Sequence, residues 1–253
     1  MTSPVLHPDW PAPERVRAAV TTRLGGVSSG GFAELNLAAH VGDDPSHVER
    51  NRRRLRESLA LPADPAWLAQ VHGRDIVDLD RGAANPSADG AVTRRPGVVC
   101  AVMTADCVPV LLAEPQGLVV GAAHAGWRGL AAGVIGAAVA AMRTPTERLL
   151  AWIGPAICAQ HYEVGQEVCD ALIGASPGAQ RALTRNAGGR WQADLVALTR
   201  MILADCGVTR IYGGGVCTFG DEARFFSHRR EAPCGRMAAL IWLDDVTGRA
   251  DGA

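Results

Sequence analysis

Short apolar runs recur along this chain, separated by glycine- and proline-containing turns. The runs at 16–21, 98–103, 110–113, 118–120, 148–153, 208–212 and 237–243 are rich in Val, Ile and Leu and predict strands. Pro109 is expected to break regularity before the run at 110–113. Residues 66–71 and 75–79 predict two more strands, joined as a hairpin by a tight turn at Gly73-Arg74. Three longer stretches follow a helical period. Asp44 caps a helix that Pro45 opens, with Val48, Leu55 and Leu59 on its apolar stripe and arginines facing water. Residues 164–173 form a second. Asp194 caps a third through Asp205, with Leu195, Leu198, Ile202 and Leu203 on one side.

The stretch 117–142, GLVVGAAHAGWRGLAAGVIGAAVAAM, organises the rest. A strand leads into a turn at His124-Ala125-Gly126-Trp127-Arg128-Gly129, and a helix of small residues is expected from there to Met142. A histidine at a strand end, beside a helix N-terminus with free N–H groups, is a common setting for chemistry. The glycine-rich segment 21–44 predicts a loop able to approach a ligand, but it is neither GxGxxG nor a P-loop. Residues 83–88 predict a loop, and residues 175–189 a mobile insertion. With no internal repeat or linker, the pattern predicts one α/β domain with a mixed sheet over residues 16–245. A loose proline-rich lead occupies residues 1–15 and a tail residues 246–253.

Composition removes several function classes. Of 253 residues, 48% are apolar and 20% charged, with a net charge of -1, which argues against a nucleic-acid partner. The basic run at 50–56 reads as the solvated face of the first helix. All 25 basic residues are arginine, which excludes Schiff-base and Walker A lysine chemistry. The seven cysteines are scattered without a CxxC pair, no secretory signal is expected, and no run is long enough for a membrane span. A cytoplasmic protein with free thiols, and no membrane partner, is the expectation.

His72, Cys107 and His124 each fall where a predicted strand stops, separated by 34 and 16 residues. Strand ends on one rim of a sheet converge from distant positions. Two imidazoles and a thiolate suit zinc, and three protein ligands leave a fourth position for chemistry. Two other readings stay open on the residues alone. One is a Cys107 nucleophile with His124 as its base; the other is a buried cysteine beside structural histidines. Cys100, Cys158, Cys169, Cys206, Cys217 and Cys234 read as core filler. His40, His47 and His161 read as loop or surface residues, and His228 is left without a role.

The segments TTRLGGVSSGGFAELNLAAHVGDD, QVHG, ADG, ADCVPVLL, AAHAGWRG, IGPAIC…YEVG and FFSHRR occur in order over residues 20–243. Together they resemble the multicopper polyphenol oxidase, or laccase-domain, family, also described as purine nucleoside phosphorylases and as the peptidoglycan editing factor. The resemblance implies a single-domain α/β/β/α sandwich with mixed sheets, similar to the catalytic domain of cytotoxic necrotizing factor toxins. It implies metal on His72, Cys107 and His124, with zinc expected and copper as the alternative. It implies phosphorolysis of adenosine, inosine, guanosine or methylthioadenosine, with adenosine deamination as a second activity. Hydrolytic editing of peptidoglycan precursors, through metal or Cys107, is the alternative, and copper-dependent phenol oxidation ranks last. Several coppers would need more histidine than the seven this chain holds. A purine nucleoside and phosphate are the expected partners, and a monomer the expected state. Arg23, Arg128, Arg229 and Arg230 lie in the shared motifs and suit a phosphate clamp, and Asn36 suits a base or ribose. The chain departs from the family pattern at His228, where an aromatic residue is more usual.

Overall fold

The computed structural model describes residues 4–82 and 86–245. The expected tail 246–253 lies outside them, as do residues 1–3 of the lead and 83–85 of the loop. The strands are β1 (Val5–Leu6), β2 (Val16–Thr21), β3 (Ile76–Asp78), β4 (Gly90–Thr93), β5 (Val99–Thr104), β6 (Val108–Ala113) and β7 (Val120–Ala125). They continue as β8 (Leu150–Ile153), β9 (Glu163–Val164), β10 (Leu183–Arg185), β11 (Trp191–Ala193), β12 (Arg210–Gly213) and β13 (Met237–Leu243). The helices are α1 (Pro45–Ser58), α2 (Trp127–Ala132), α3 (Val134–Met142), α4 (Gln166–Ala175) and α5 (Leu195–Asp205).

Two sheets carry the domain. One has the order β1-β2-β13-β5 and is antiparallel throughout. The other is mixed, in the order β12-β8-β6-β7-β4-β3, with β12 parallel to β8 and β3 parallel to β4. A small antiparallel sheet, β10-β11-β9, flanks them. Side-chain alternation shows how the two main sheets stack. From β5 and β13, Cys100, Val102, Ala239, Ile241 and Leu243 meet Leu111, Ala113, Leu150 and Trp152 of the mixed sheet. The alternate residues Val99, Ala101, Ala238, Leu240 and Trp242 point the other way, onto Leu55 of α1 and Leu61. On the far side of the mixed sheet, Val110, Leu112, Ala151 and Ile153 pack under α2, α3, α4 and α5. The layers therefore run α1, four-stranded sheet, six-stranded sheet, remaining helices: an α/β/β/α sandwich. Leu240, Ile241 and Leu243 are fully buried, each worth about 1.5–3 kcal/mol of removed apolar surface.

The caps on α1 and α5 follow the sequence. Asp44 accepts from Ser46 N and Asp194 from Ala197 N. Arg52 is an exception to the solvated arginine face, since its Nε donates to Leu37 O (3.0 Å) and its guanidinium lies over Trp67.

Five expectations need correction. Residues 66–71 are extended but make only isolated bridges, and β3 pairs parallel with β4, so there is no 66–79 hairpin. The turn there is organised by a carboxylate, described below. The helix expected up to Met142 is two helices, α2 and α3, separated by Gly133 in the left-handed region (φ +90°). The 175–189 insertion contains β10, paired with β11, so it is tied into a sheet. Within the lead, Val5 and Leu6 pair with Thr21 and Val20 as an edge strand. Pro109 lies inside β6, one residue outside the β8 ladder, which stops at Val110 and Ile153; its carbonyl accepts Gly154 N (2.9 Å) just past β8, and its missing N–H costs no bond within that ladder.

Candidate metal centre

Three segments deliver the donors. Cys107 sits in the short turn between β5 and β6, His124 near the end of β7, and His72 in the loop before β3. Pro109 of β6 pairs with His124, which holds the two chain segments in register. One ligand atom from each residue falls within 4.8 Å of the others. The two imidazoles meet edge to face, with centroids 4.8 Å apart. His124 is buried, Cys107 half-buried and His72 exposed, so one side stays open.

The backbone passes very close to the donors at Gly126. A Cβ there would stand 2.8 Å from Cys107 Sγ and 3.1 Å from His72 Cδ2, so only glycine fits without displacing a ligand.

Asp89, fully buried, orients two of the three donors. Its Oδ1 accepts from His124 Nδ1 (2.8 Å) and from His72 N (3.0 Å), and its Oδ2 accepts from Gly73 N (2.6 Å) and Val71 N (3.2 Å). With Nδ1 committed to the carboxylate, His124 turns Nε2 toward the other donors. The same carboxylate gathers three consecutive amides and holds His72 at φ +59°. Burial pushes the Asp89 carboxyl up, but His124 and the backbone donors outweigh it and hold it below the usual carboxylate range.

Electrostatics at Cys107 and His124 are reciprocal. Burial opposes ionisation of the Cys107 thiol, but His124 and His72 outweigh it and bring it down to about 6. Burial likewise opposes charge on His124, but Cys107 and Asp89 raise it to about 9. Without a metal, the pair is a thiolate and an imidazolium at neutral pH. This donor set is chemically suited to zinc or another thiophilic cation: a thiolate, one imidazole fixed by a buried carboxylate, and one at the open edge.

A cavity of about 150 Å³ opens on the donors, and His40, Gln70, His228 and Arg236 share its wall with them. Gln70 is held by a reciprocal pair of bonds with Met103 (2.8 and 2.7 Å). Burial first, then Arg236, Arg52 and the neighbouring His72, lower the pKa of His40 and keep its ring neutral. Arg236 brings a cation to the wall, with its Nη1 donating to Cys234 O (2.7 Å) and Gly235 O (3.1 Å).

The other sequence candidates fall in several places. Asn36 is fully buried, outside the cavity wall; its amide donates to Ala38 O and Asp43 Oδ2, and its oxygen accepts from Ala38 N and Arg236 N. Through Arg236 N it helps to place a residue of the cavity wall. Arg23 donates to Ala33 O (2.6 Å) and Glu222 O (3.3 Å) and lies over Phe226. Arg230 likewise spends its guanidinium on the carbonyls of Thr218, Phe219 and Phe225. Arg229 lies over the Tyr162 ring (4.9 Å) and donates to Glu163 O (2.7 Å). Arg128 is exposed and lies over Trp127 (4.4 Å), with no hydrogen bond or ion pair among the described residues. Tyr162 lies under the Arg229 guanidinium and shares its electrostatic surroundings with Arg128 and Cys107. Burial raises its pKa, the Cys107 charge adds to the rise, and Arg229 and Arg128 oppose it.

Sequence reasoning does not find Asp89, Asp106, Tyr162 or Arg236 as site residues. Asp106 (φ +88°) accepts from Thr218 Oγ1 (2.7 Å), Ser227 Oγ (3.0 Å) and Arg229 N (2.7 Å), and so ties two distant loops to the Cys107 turn. The available signal was the pair of Asp residues in ADG and ADC: an acid beside apolar strands must find donors.

A model of the family described as multi-copper polyphenol oxidoreductase laccase matches residues 17–244. A purine nucleoside phosphorylase of Pseudomonas aeruginosa is 52% identical over 95% of this chain and 98% of its own length. The purine nucleoside phosphorylase YfiH of Escherichia coli is 47% identical, over 95% and 99%. Among solved structures, a Neisseria meningitidis protein superposes with a TM-score of 0.92 at 47% identity, covering 96% of this chain and 100% of that one. YlmD from Geobacillus stearothermophilus gives 0.85 at 38%, covering 92% and 93%.

Proposed function

This chain belongs to the multi-copper polyphenol oxidoreductase laccase family, and we propose that it is a zinc-dependent purine nucleoside phosphorylase. The observation that carries the reading is the donor set His72, Cys107 and His124, braced by Asp89 and open to a cavity with a cation in its wall. The relatives' names supply the substrate class. Adenosine, inosine, guanosine and methylthioadenosine are the proposed substrates, with adenosine deamination as a second activity. A cytoplasmic monomer is the proposed working form. No helix among the described residues is long and apolar enough to cross a membrane.

Bound at the three donors, zinc would supply Lewis acidity beside the cavity. The chain's own residues do the rest. Phosphorolysis forms a bond from a phosphate oxygen to ribose C1′ as the purine leaves with the bonding pair. Arg236, Arg128 and Arg229 are the proposed clamp for the phosphate, which must be held in line. The neutral His40 is placed to accept or pass a proton. Asp89 keeps the His124 ring fixed while charge moves nearby.

A second reading has one specific feature in its favour. Cys107 Sγ lies within 4.8 Å of a nitrogen of each imidazole, and the two together bring its thiol down to about 6, an arrangement that would also serve a thiol nucleophile hydrolysing an amide of a peptidoglycan precursor. The test uses protein purified without added metal, assayed with adenosine and phosphate. The expected products are adenine and ribose 1-phosphate, abolished by chelation and restored by zinc. Amide hydrolysis of a peptidoglycan precursor by metal-free protein through a covalent adduct on Cys107, with no phosphorolysis of adenosine, would overturn the phosphorylase reading in favour of the hydrolase.

A further inference from the structure

We propose that Cys158, His161 and Cys217 form a second metal site, suited to a thiophilic divalent cation, zinc above all. The three residues lie on the loops that follow β8 and β12. Those strands are parallel neighbours, and their chains run on side by side past their ends. Ala156 bridges Cys217, with Ala156 N donating to Val216 O (3.2 Å) and Thr218 N to Ala156 O (3.0 Å). That pairing brings the two thiols together, and the 3-10 turn Ala159–His161 then returns the imidazole beside them.

The ligand atoms are close. His161 Nδ1 lies 3.2 Å from Cys158 Sγ and 3.5 Å from Cys217 Sγ, and the sulfurs are 2.7 Å apart. The His161 ring is stacked on Phe219, centroids 4.4 Å apart, which fixes the direction of its nitrogen. The sulfurs are half-buried and the imidazole exposed, so a fourth position is open to water or another ligand. These residues are not core filler, as the sequence alone suggests for Cys158 and Cys217; a Cys-x2-His turn facing a second cysteine is a chelating arrangement.

Two thiolates on one zinc, each at about 2.3 Å, stand about 3.8 Å apart in a tetrahedral site. Loading therefore requires the sulfurs to part by about 1 Å, by rotation of half-exposed side chains. On binding, two S–H bonds break, two metal–sulfur bonds form and two protons pass to solvent. A simple disulfide is the rival use of the two thiols, but it has no need of a nitrogen aimed at both sulfurs. The cluster is joined to the first centre through Asp106, which binds Thr218 Oγ1 and accepts Ile157 N at its carbonyl (2.9 Å).

The test is a titration of reduced full-length protein with cobalt(II), then zinc(II), read by thiolate-to-cobalt absorption and by metal analysis after desalting. The parent should hold two equivalents, and Cys158→Ser/Cys217→Ser should hold one. The His72→Ala/His124→Ala variant should keep the equivalent with two-thiolate absorption. His161→Ala, on an exposed side chain, should weaken the second equivalent at least about tenfold, since even the loss of an outer-shell partner costs about that much. Failure of the first centre has a different signature: Cys158→Ser/Cys217→Ser would then hold no metal while the parent held one. If the Cys158→Ser/Cys217→Ser protein binds as much metal as the parent, the second site does not exist. Formation of a Cys158–Cys217 disulfide in air at the same rate with and without zinc would overturn it equally.

Discussion

Asp89 accepts four hydrogen bonds, three from consecutive amides at 71–73 and one from the His124 ring. It lies outside the trio of donors, yet it sets the position of two of them. Asp89→Asn replaces one acceptor with a donor facing those amides and removes the charge opposite His124. Metal affinity, measured by competition with a chromophoric chelator, should fall about 10–100-fold. Arg128 is the contrasting case. Among the described residues its guanidinium meets only the Trp127 ring and pins no other part of the fold. If it holds phosphate, each charged hydrogen bond is worth about 1.5–3 kcal/mol, so Arg128→Ala should weaken phosphate use about ten- to a hundred-fold. Metal content, melting temperature and deamination should stay near parent values, and Arg128→Lys should rescue in part. A parallel loss of stability and both activities would show a structural role instead.

The Cys107 and His124 charges give a pH signature in metal-free protein. The thiol is held down to about 6 and the imidazole up to about 9. Below the first value Cys107 is protonated, between the two the thiolate faces an imidazolium, and above the second His124 loses its proton. Alkylation of Cys107 by iodoacetamide, followed by peptide mapping, should therefore rise through a midpoint near 6. In His124→Ala the midpoint should move up toward the ordinary thiol range. A midpoint near 9 in the parent would contradict this pairing.

At the scale of elements, the legible parts of the sequence were those set by local chemistry. Asp44 before Pro45 and Asp194 before Leu195 start α1 and α5 because a cap needs only neighbouring N–H groups. Runs 16–21 and 237–243 are strands end to end, since nothing within them competes with the ladder. The clustering of His72, Cys107 and His124 is legible to the same degree, since all three are metal-competent residue types at strand ends. What misled was the segment 66–79, where two apolar runs around Gly73 resemble a hairpin. Its partner is instead decided by Asp89, sixteen residues beyond Gly73, which captures the turn's amides. The clustering of Cys158 with Cys217 was equally hidden, because it depends on β8 and β12 being parallel neighbours. Gly126 belongs to this scale as well, as the joint between β7 and α2. Gly126→Ala should leave the sandwich folded and cost about 1–3 kcal/mol of local strain. Zinc content should drop much more than melting temperature, because the new methyl lands on Cys107 and His72.

In the whole molecule, the donors hang from strands of very unequal protection. β5, β6, β7 and β13 are buried along their full length, whereas β1, β3 and β12 are half-exposed sheet edges. Amide hydrogen exchange should follow that order, with the half-exposed strands opening first and the buried ones only on global unfolding. Cys107 and His124 ride on the slow set. His72 does not, since its loop is held mainly by the carboxylate of Asp89. The amides of Val71, His72 and Gly73 should thus be the ones whose exchange slows on zinc loading, while those of β5 and β7 hardly change. Metal capture would then be asymmetric in time: a preformed half-site waits on the rigid sheet, and a single mobile turn closes over the ion. Release would begin at that turn, so the lifetime of bound zinc should be set by how often three amides let go of one buried carboxylate.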